Sequence, residues 1–295
     1  MKLYIISFLL LFFLIACEKK IAFNLKESSE LLTVDASIEN GEEPLVILTK
    51  SLNYFSKISA SVLSNSLVTD AQVFISDGVI THQLKRYDII LPGNVPFSFY
   101  ATDPASFATI ITGSLGKSYS LRIVWKGQEY KSNTTIPLLR KTVDSIWAVK
   151  ALNTPDTSTK MILRAKITDP AGFGDYIRYF TKVNKEPFYP GLNSAFDDQL
   201  VNGTTYFVDV DKGADRNSEI DFENFAFFKK GDTVTLKFSN INKATFDFWR
   251  TVDFSYQSIG NPFSSPTKII GNISNGALGY FGGYANQFKT IIIPK

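Results

Sequence analysis

Leu32, Val34, Ala36 and Ile38 are apolar, and the residues between them, Thr33, Asp35, Ser37 and Glu39, are polar. A period of two places each set on its own face of an extended strand, one for a core and one for solvent. That alternation constrains the fold class more than any other feature, because it recurs. Residues 161–167 alternate in the same way, and 119–125, 204–209 and 233–238 read as further strands. Turn dipeptides punctuate them at Asn40-Gly41, Asp77-Gly78, Lys126-Gly127 and Gly231-Asp232. The aromatic share, 14%, comes mainly from 25 Phe and 13 Tyr, which also favour strands.

The expected fold is therefore mainly β. Residues 31–139 hold about seven short strands and read as an immunoglobulin-like β-sandwich. Residues 140–295 read as a second β-rich domain. Pro137 and the charged pair Arg140-Lys141 mark the boundary, read as a linker open to proteases. After Asn240 the period changes: Ile241, Thr245, Phe248, Trp249, Val252 and Tyr256 recur three to four apart. This predicts one packed helix over about 243–257, with Asn242 as its N-cap. The Ser-rich stretch 54–70 reads as a long loop. Residues 271–283, with five glycines beside Tyr280, Phe281 and Tyr284, read as a pinned glycine-rich segment before a closing strand at 287–294.

The N-terminus has the anatomy of a secretory signal at 1–16. Lys2 precedes an apolar run, 5–15, broken only by Ser7 and too short for the ~20 apolar residues of a spanning helix. Leu14-Ile15-Ala16-Cys17 resembles a bacterial lipobox, in which the cut falls before the cysteine and its sulfur is acylated. Cys17 is the only cysteine among 295 residues, so it is the expected lipidation site and membrane anchor, and no intrachain disulfide is available. Residues 18–30 then form a polar tether.

Side-chain chemistry is sparse. One histidine, His82, would have to serve any Ser-His-Asp relay; it falls in a predicted hairpin strand and reads as a surface residue. One His and one acylated Cys cannot assemble a zinc set. Asp209-x-Asp211-x-Gly213-x-Asp215 places carboxylates at alternate positions around a glycine, a calcium candidate. Yet Gly213 is fifth and Ile220 twelfth where an EF-hand needs Gly sixth and Glu twelfth, which favours a solvated turn. Asp197-Asp198 are adjacent and point to opposite faces of a strand. The glycines of 271–283 lack the Gly-Lys-Ser/Thr of a phosphate loop. Net charge is +3 with scattered basic residues, which excludes a nucleic-acid stripe. No cofactor and no enzyme activity are expected. Rigid aromatics, Phe263, Tyr280 and Tyr284, are the expected partner or ligand contacts, with core packing as the rival reading.

Several pieces together resemble the Bacteroidota lipoprotein family known as domain of unknown function 4249. They are Cys17; Leu31-Leu32-Thr33-Val34-Asp35-Ala36; Asp70-Ala71-Gln72-Val73; Gly116-Lys117-Ser118-Tyr119-Ser120-Leu121; and Phe196-Asp197-Asp198 with Asn202-Gly203. Gly231-Asp232-Thr233-Val234, Phe246-Asp247-Phe248-Trp249, Asn261-Pro262-Phe263-Ser264-Ser265-Pro266, Gly271-Asn272-Ile273 and Gly279-Tyr280-Phe281-Gly282 complete the set. The resemblance implies a lipid-anchored outer-membrane protein without established enzyme activity. It further implies pairing with a TonB-dependent receptor for uptake of an unknown ligand; a structural or adhesive surface lipoprotein is the alternative. Glu18-Lys19-Lys20 departs from the acidic run that marks surface export in this phylum, so outward and periplasmic faces stay open.

Overall fold

The computed structural model describes residues 30–52, 59–152, 158–258 and 267–295. The first half contains β1 (Leu32–Glu39), β2 (Leu45–Lys50), a short helix α1 (Ala60–Ser66), β3 (Gln72–Ser76), β4 (Thr81–Leu91), β5 (Val95–Ala101), β6 (Ser118–Trp125) and β7 (Gln128–Thr135). The second contains β8 (Thr142–Lys150), β9 (Lys160–Thr168), β10 (Tyr176–Val183), β11 (Tyr189–Phe196), β12 (Thr205–Val210), β13 (Phe228–Lys229), β14 (Thr233–Ile241), α2 (Lys243–Gln257) and β15 (Leu278–Ile292).

The first half is a sandwich. Strands run β1-β2-β5-β4 in one layer and β3-β6-β7 in the other, the arrangement of an immunoglobulin constant-type domain. β4 joins the layers: residues 81–84 pair with β3 and 85–91 with β5. The alternating apolar set of β1 is fully buried against Val73, Ile75, Leu121 and Ile123 of the opposite layer. In the second half, β8, β9, β12 and β13 form a small sheet that packs on β10, β14 and the end of β15. α2 covers the 15 residues expected, 243–257, with Asn242 Oδ1 accepting from Thr245 N at 2.9 Å.

Three expectations need correction. Within 54–70, residues 60–66 are helical, because Ser59 Oγ caps the turn by accepting from Val62 N; residues 53–58 lie outside the described set. The closing strand begins at Leu278, nine residues earlier than expected. Gly276, at φ +73°, sits in a turn with open space around it, but the other glycines of this stretch are there for close approach. A Cβ on Gly279, whose φ is +93°, would collide with the Val34 carbonyl, and one on Gly283 would meet the Thr135 carbonyl.

The junction is also no open linker. Lys141 is buried, its N–H donates to Asn240 Oδ1 at 2.9 Å, and its carbonyl accepts from Asn240 Nδ2 and Gln287 Nε2. Nor does the sheet divide there. Residues 278–284 of β15 run parallel to β1, and 284–292 run antiparallel to β14, so one strand serves both cores. Phe281 and Ala285 belong to the first core, Ile293 to the second.

Candidate functional site

The two sheets of the second half part at one side. β11 ends the large sheet and β12 ends the small one, and they do not pair with each other. Between them lies a cavity of about 600 Å³, within the range of small-ligand sites. Its floor continues the second core: Ile167, Ile177, Val210, Leu236 and Phe238. Phe196 and Val208 stand at the edge strands, and the β11–β12 connection, with Asp197, Gln199, Leu200 and Val201, forms the rim. Leu200, 97% exposed, has no apolar cover.

Polar groups converge on this apolar chamber. The Tyr179 hydroxyl lies against the backbone of Gly191, where any side chain would collide with it. Burial, with smaller pushes from Asp211 and Asp253, raises its pKa. Tyr206 is pushed up to about 12, by burial first and then by Asp169. Both phenols therefore keep their protons further into the alkaline range than an exposed tyrosine. Asp209 is neutralised by a two-pronged contact with Arg164, at 2.7 and 3.3 Å. Asp211 also lines the wall. Although solvent reaches much of that residue, burial of its carboxyl raises the pKa, and Asp209 adds to it.

The rim is tied down from below. Asp198 is buried, and its Oδ2 accepts from Gly174 N at 2.9 Å and Asp175 N at 3.2 Å. Asn202 Oδ1 accepts from Gly172 N at 2.9 Å, and the Thr204 carbonyl accepts from Asp169 N. Asp169, Asp175 and Asp198 bring their carboxylates within 4.8 Å of one another. The chain answers this charge itself: Lys141 Nζ lies 3.3 Å from Asp169 Oδ1, and Arg140 Nε donates to Asp175 Oδ1 at 2.8 Å. Burial still raises the Asp169 pKa, opposed by Lys141 and helped by the other two carboxylates. This cluster fastens the junction 140–141 to the loops that frame the cavity, a form of preorganisation.

The residues singled out in the sequence fall differently. Cys17 and Phe263 lie outside the described residues. Tyr280 and Tyr284 are buried, at 4% and 3% exposure, which corrects their assignment as a contact surface. Phe248 stacks on Tyr280 at 4.3 Å, Trp249 Nε1 donates to Tyr284 Oη at 2.8 Å, and the two tyrosine hydroxyls lie 3.0 Å apart. Strand period two placed both rings on the same face as α2. Asp209, Asp211 and Asp215 do not assemble a calcium site: Asp209 serves Arg164, and Asp215 caps its own turn by accepting from Asn217 N at 2.9 Å. His82 is buried rather than at the surface. Its Nε2 accepts from Asp103 N, leaving Nδ1 to face Thr109 Oγ1 at 2.9 Å, so the ring is a structural bolt. Asp197, Asp209 and Asp211 were singled out in the sequence for other roles, but the apolar cavity residues escaped sequence reading because each looks like an ordinary strand residue. The signal was indirect: Tyr206, Phe207 and Val208 run apolar on both faces of an edge strand.

A family model described as "Domain of unknown function (DUF4249)" matches residues 18–290. No curated protein matches the chain.

Proposed function

The chain belongs to the DUF4249 family, and from that premise we propose that it is a non-enzymatic, lipid-anchored outer-membrane protein, accessory to a TonB-dependent transporter, that holds a small ligand for uptake. The observation that carries the ligand-holding part is the open cavity between β11 and β12, apolar in its walls and edged by a fixed rim. A core that merely failed to close would expose apolar surface with no gain, at about 25 cal/mol per Å². The anchor rests on the lipobox at Cys17 and on its being the lone cysteine. Among the described residues no helix is long and apolar enough to cross a membrane. On this reading membrane attachment falls to acyl chains on Cys17, more than one being needed for stable anchoring.

Binding and anchoring together suit a protein that presents cargo to a receptor in the same membrane, where confinement raises the effective concentration of the pair. The test is purification of the tagged full chain from detergent-solubilised outer membrane. A TonB-dependent receptor is expected to co-purify, and Cys17→Ala is expected to leave the membrane fraction. Recovery of the wild type free of any receptor would contradict the accessory role.

A further inference from the structure

The charges lining the cavity are not all spent. Asp209 has Arg164, but Asp211 has no hydrogen bond or ion pair among the described residues, and neither has Arg250 beyond a ring contact with Phe246 at 5.8 Å. Asp211 and Arg250 line the same cavity and do not pair with each other. The other rim carboxylate, Asp197, accepts from the N–H of its own turn at Gln199. The apolar chamber thus carries at its solvent-exposed edge a carboxylate, Asp211, and a guanidinium, Arg250, without ion-pair partners among the described residues, with Asp197 as a further carboxylate held only by a backbone N–H. Opposite charges at an apolar site that ignore each other are disposed for a ligand that brings both counter-charges.

We infer that the cavity takes a short apolar peptide, with its ammonium on Asp211, its carboxylate on Arg250 and its side chains against the Leu236–Phe238 floor. The inference rests on the ligand-holding reading above and narrows it to a chemical class. Geometry supports each part. Guanidinium presents a fork that matches a carboxylate. Asn193, also in the wall, offers an amide for a peptide bond; its Oδ1 accepts from Gln257 Nε2 at 2.6 Å, which leaves its own NH₂ free to donate. The volume of about 600 Å³ exceeds what a single amino acid needs and suits about two or three residues. The raised pKa of Asp211 fits the empty site, since a bound ammonium would favour its ionised form.

The experiment is isothermal titration calorimetry on the full chain in detergent, with three probes: free trileucine, N-acetyl-trileucine and trileucine amide. Free trileucine is expected to bind. Acetylation is expected to weaken it about tenfold or more, and so is amidation, because each removes one of the two charge pairs of the complex. In Asp211→Asn the acetylated and free peptides are expected to bind alike; in Arg250→Gln the amide and the free peptide are. Melting temperatures of both variants, expected unchanged, exclude misfolding. Equal affinity of wild type for free and blocked peptides would overturn the ligand class while leaving the cavity a binding site. No binding of any probe at millimolar concentration would overturn it outright. Peptide binding retained in a chain that co-purifies with no receptor would support the ligand class and remove only the transporter role.

Discussion

Asp253 shows how the second half spends its charged groups. It is buried at the base of α2 and accepts from Ser194 N, Ser194 Oγ and Arg216 at 2.8, 2.9 and 2.6 Å. Removing it takes the counter-charge from a largely buried guanidinium, which keeps only the Gly191 and Leu192 carbonyls, and leaves Ser194 N without its acceptor. Asp253→Ala is expected to cost about 3 kcal/mol, read from the urea midpoint at unchanged m-value. Tyr206 makes a different prediction. Its folded pKa, about 12, lies above the ordinary 10.0, so between those values the folded state keeps a proton that the unfolded state has lost. Stability contributed there is complete below pH 10 and drains away as pH climbs through 12. Tyr206→Phe is expected to flatten that part of the alkaline stability curve, followed by denaturant titration at several pH values; an unchanged slope would count against the burial assigned to this phenol.

At the scale of elements, β15 and α2 carry the architecture. Tyr280 and Tyr284, one helical face and one strand face, knit α2 to β15 through Phe248 and Trp249. Tyr280→Ala and Tyr284→Ala are each expected to cost about 3–5 kcal/mol, as large-to-small core changes do. A loss below 1 kcal/mol, by calorimetry, would return these rings to the surface. The sequence disclosed α2 to the residue, because an N-cap and a three-to-four period coincide there. It also disclosed the strands of the first sandwich, whose buried and exposed faces alternate without interruption in β1. It hid β15. Five glycines in 271–283 signal turns when read locally, and Gly276 does turn, but the neighbouring carbonyls of Val34 and Thr135 reveal that Gly279 and Gly283 let backbones touch. The cavity was hidden for a related reason: a site made by the parting of two edge strands leaves no motif, and its polar residues, Asp211 and Arg250 among them, are scattered along the sequence. Sheet ends, unlike loops, have no composition of their own.

For the whole molecule, the parallel half of β15 pairs with the first sandwich and its antiparallel half with the second, so the two are expected to unfold together. A single calorimetric transition is expected, and limited proteolysis is expected to spare the bond between the exposed Arg140 and the buried Lys141, because the Lys141 N–H is held by Asn240. Two resolved transitions, or a first cut at 140–141, would restore two independent domains. The claim at the centre is that the space between β11 and β12 is a built binding site, and it can be tested by filling it. Val208→Trp places an indole in the cavity mouth. The measurement is native mass spectrometry of the full chain extracted in detergent from its own membrane, for wild type and variant together. The account predicts a small-molecule adduct on the wild type, none on Val208→Trp, and melting temperatures within about 2 °C of each other. The same adduct on both proteins would contradict it.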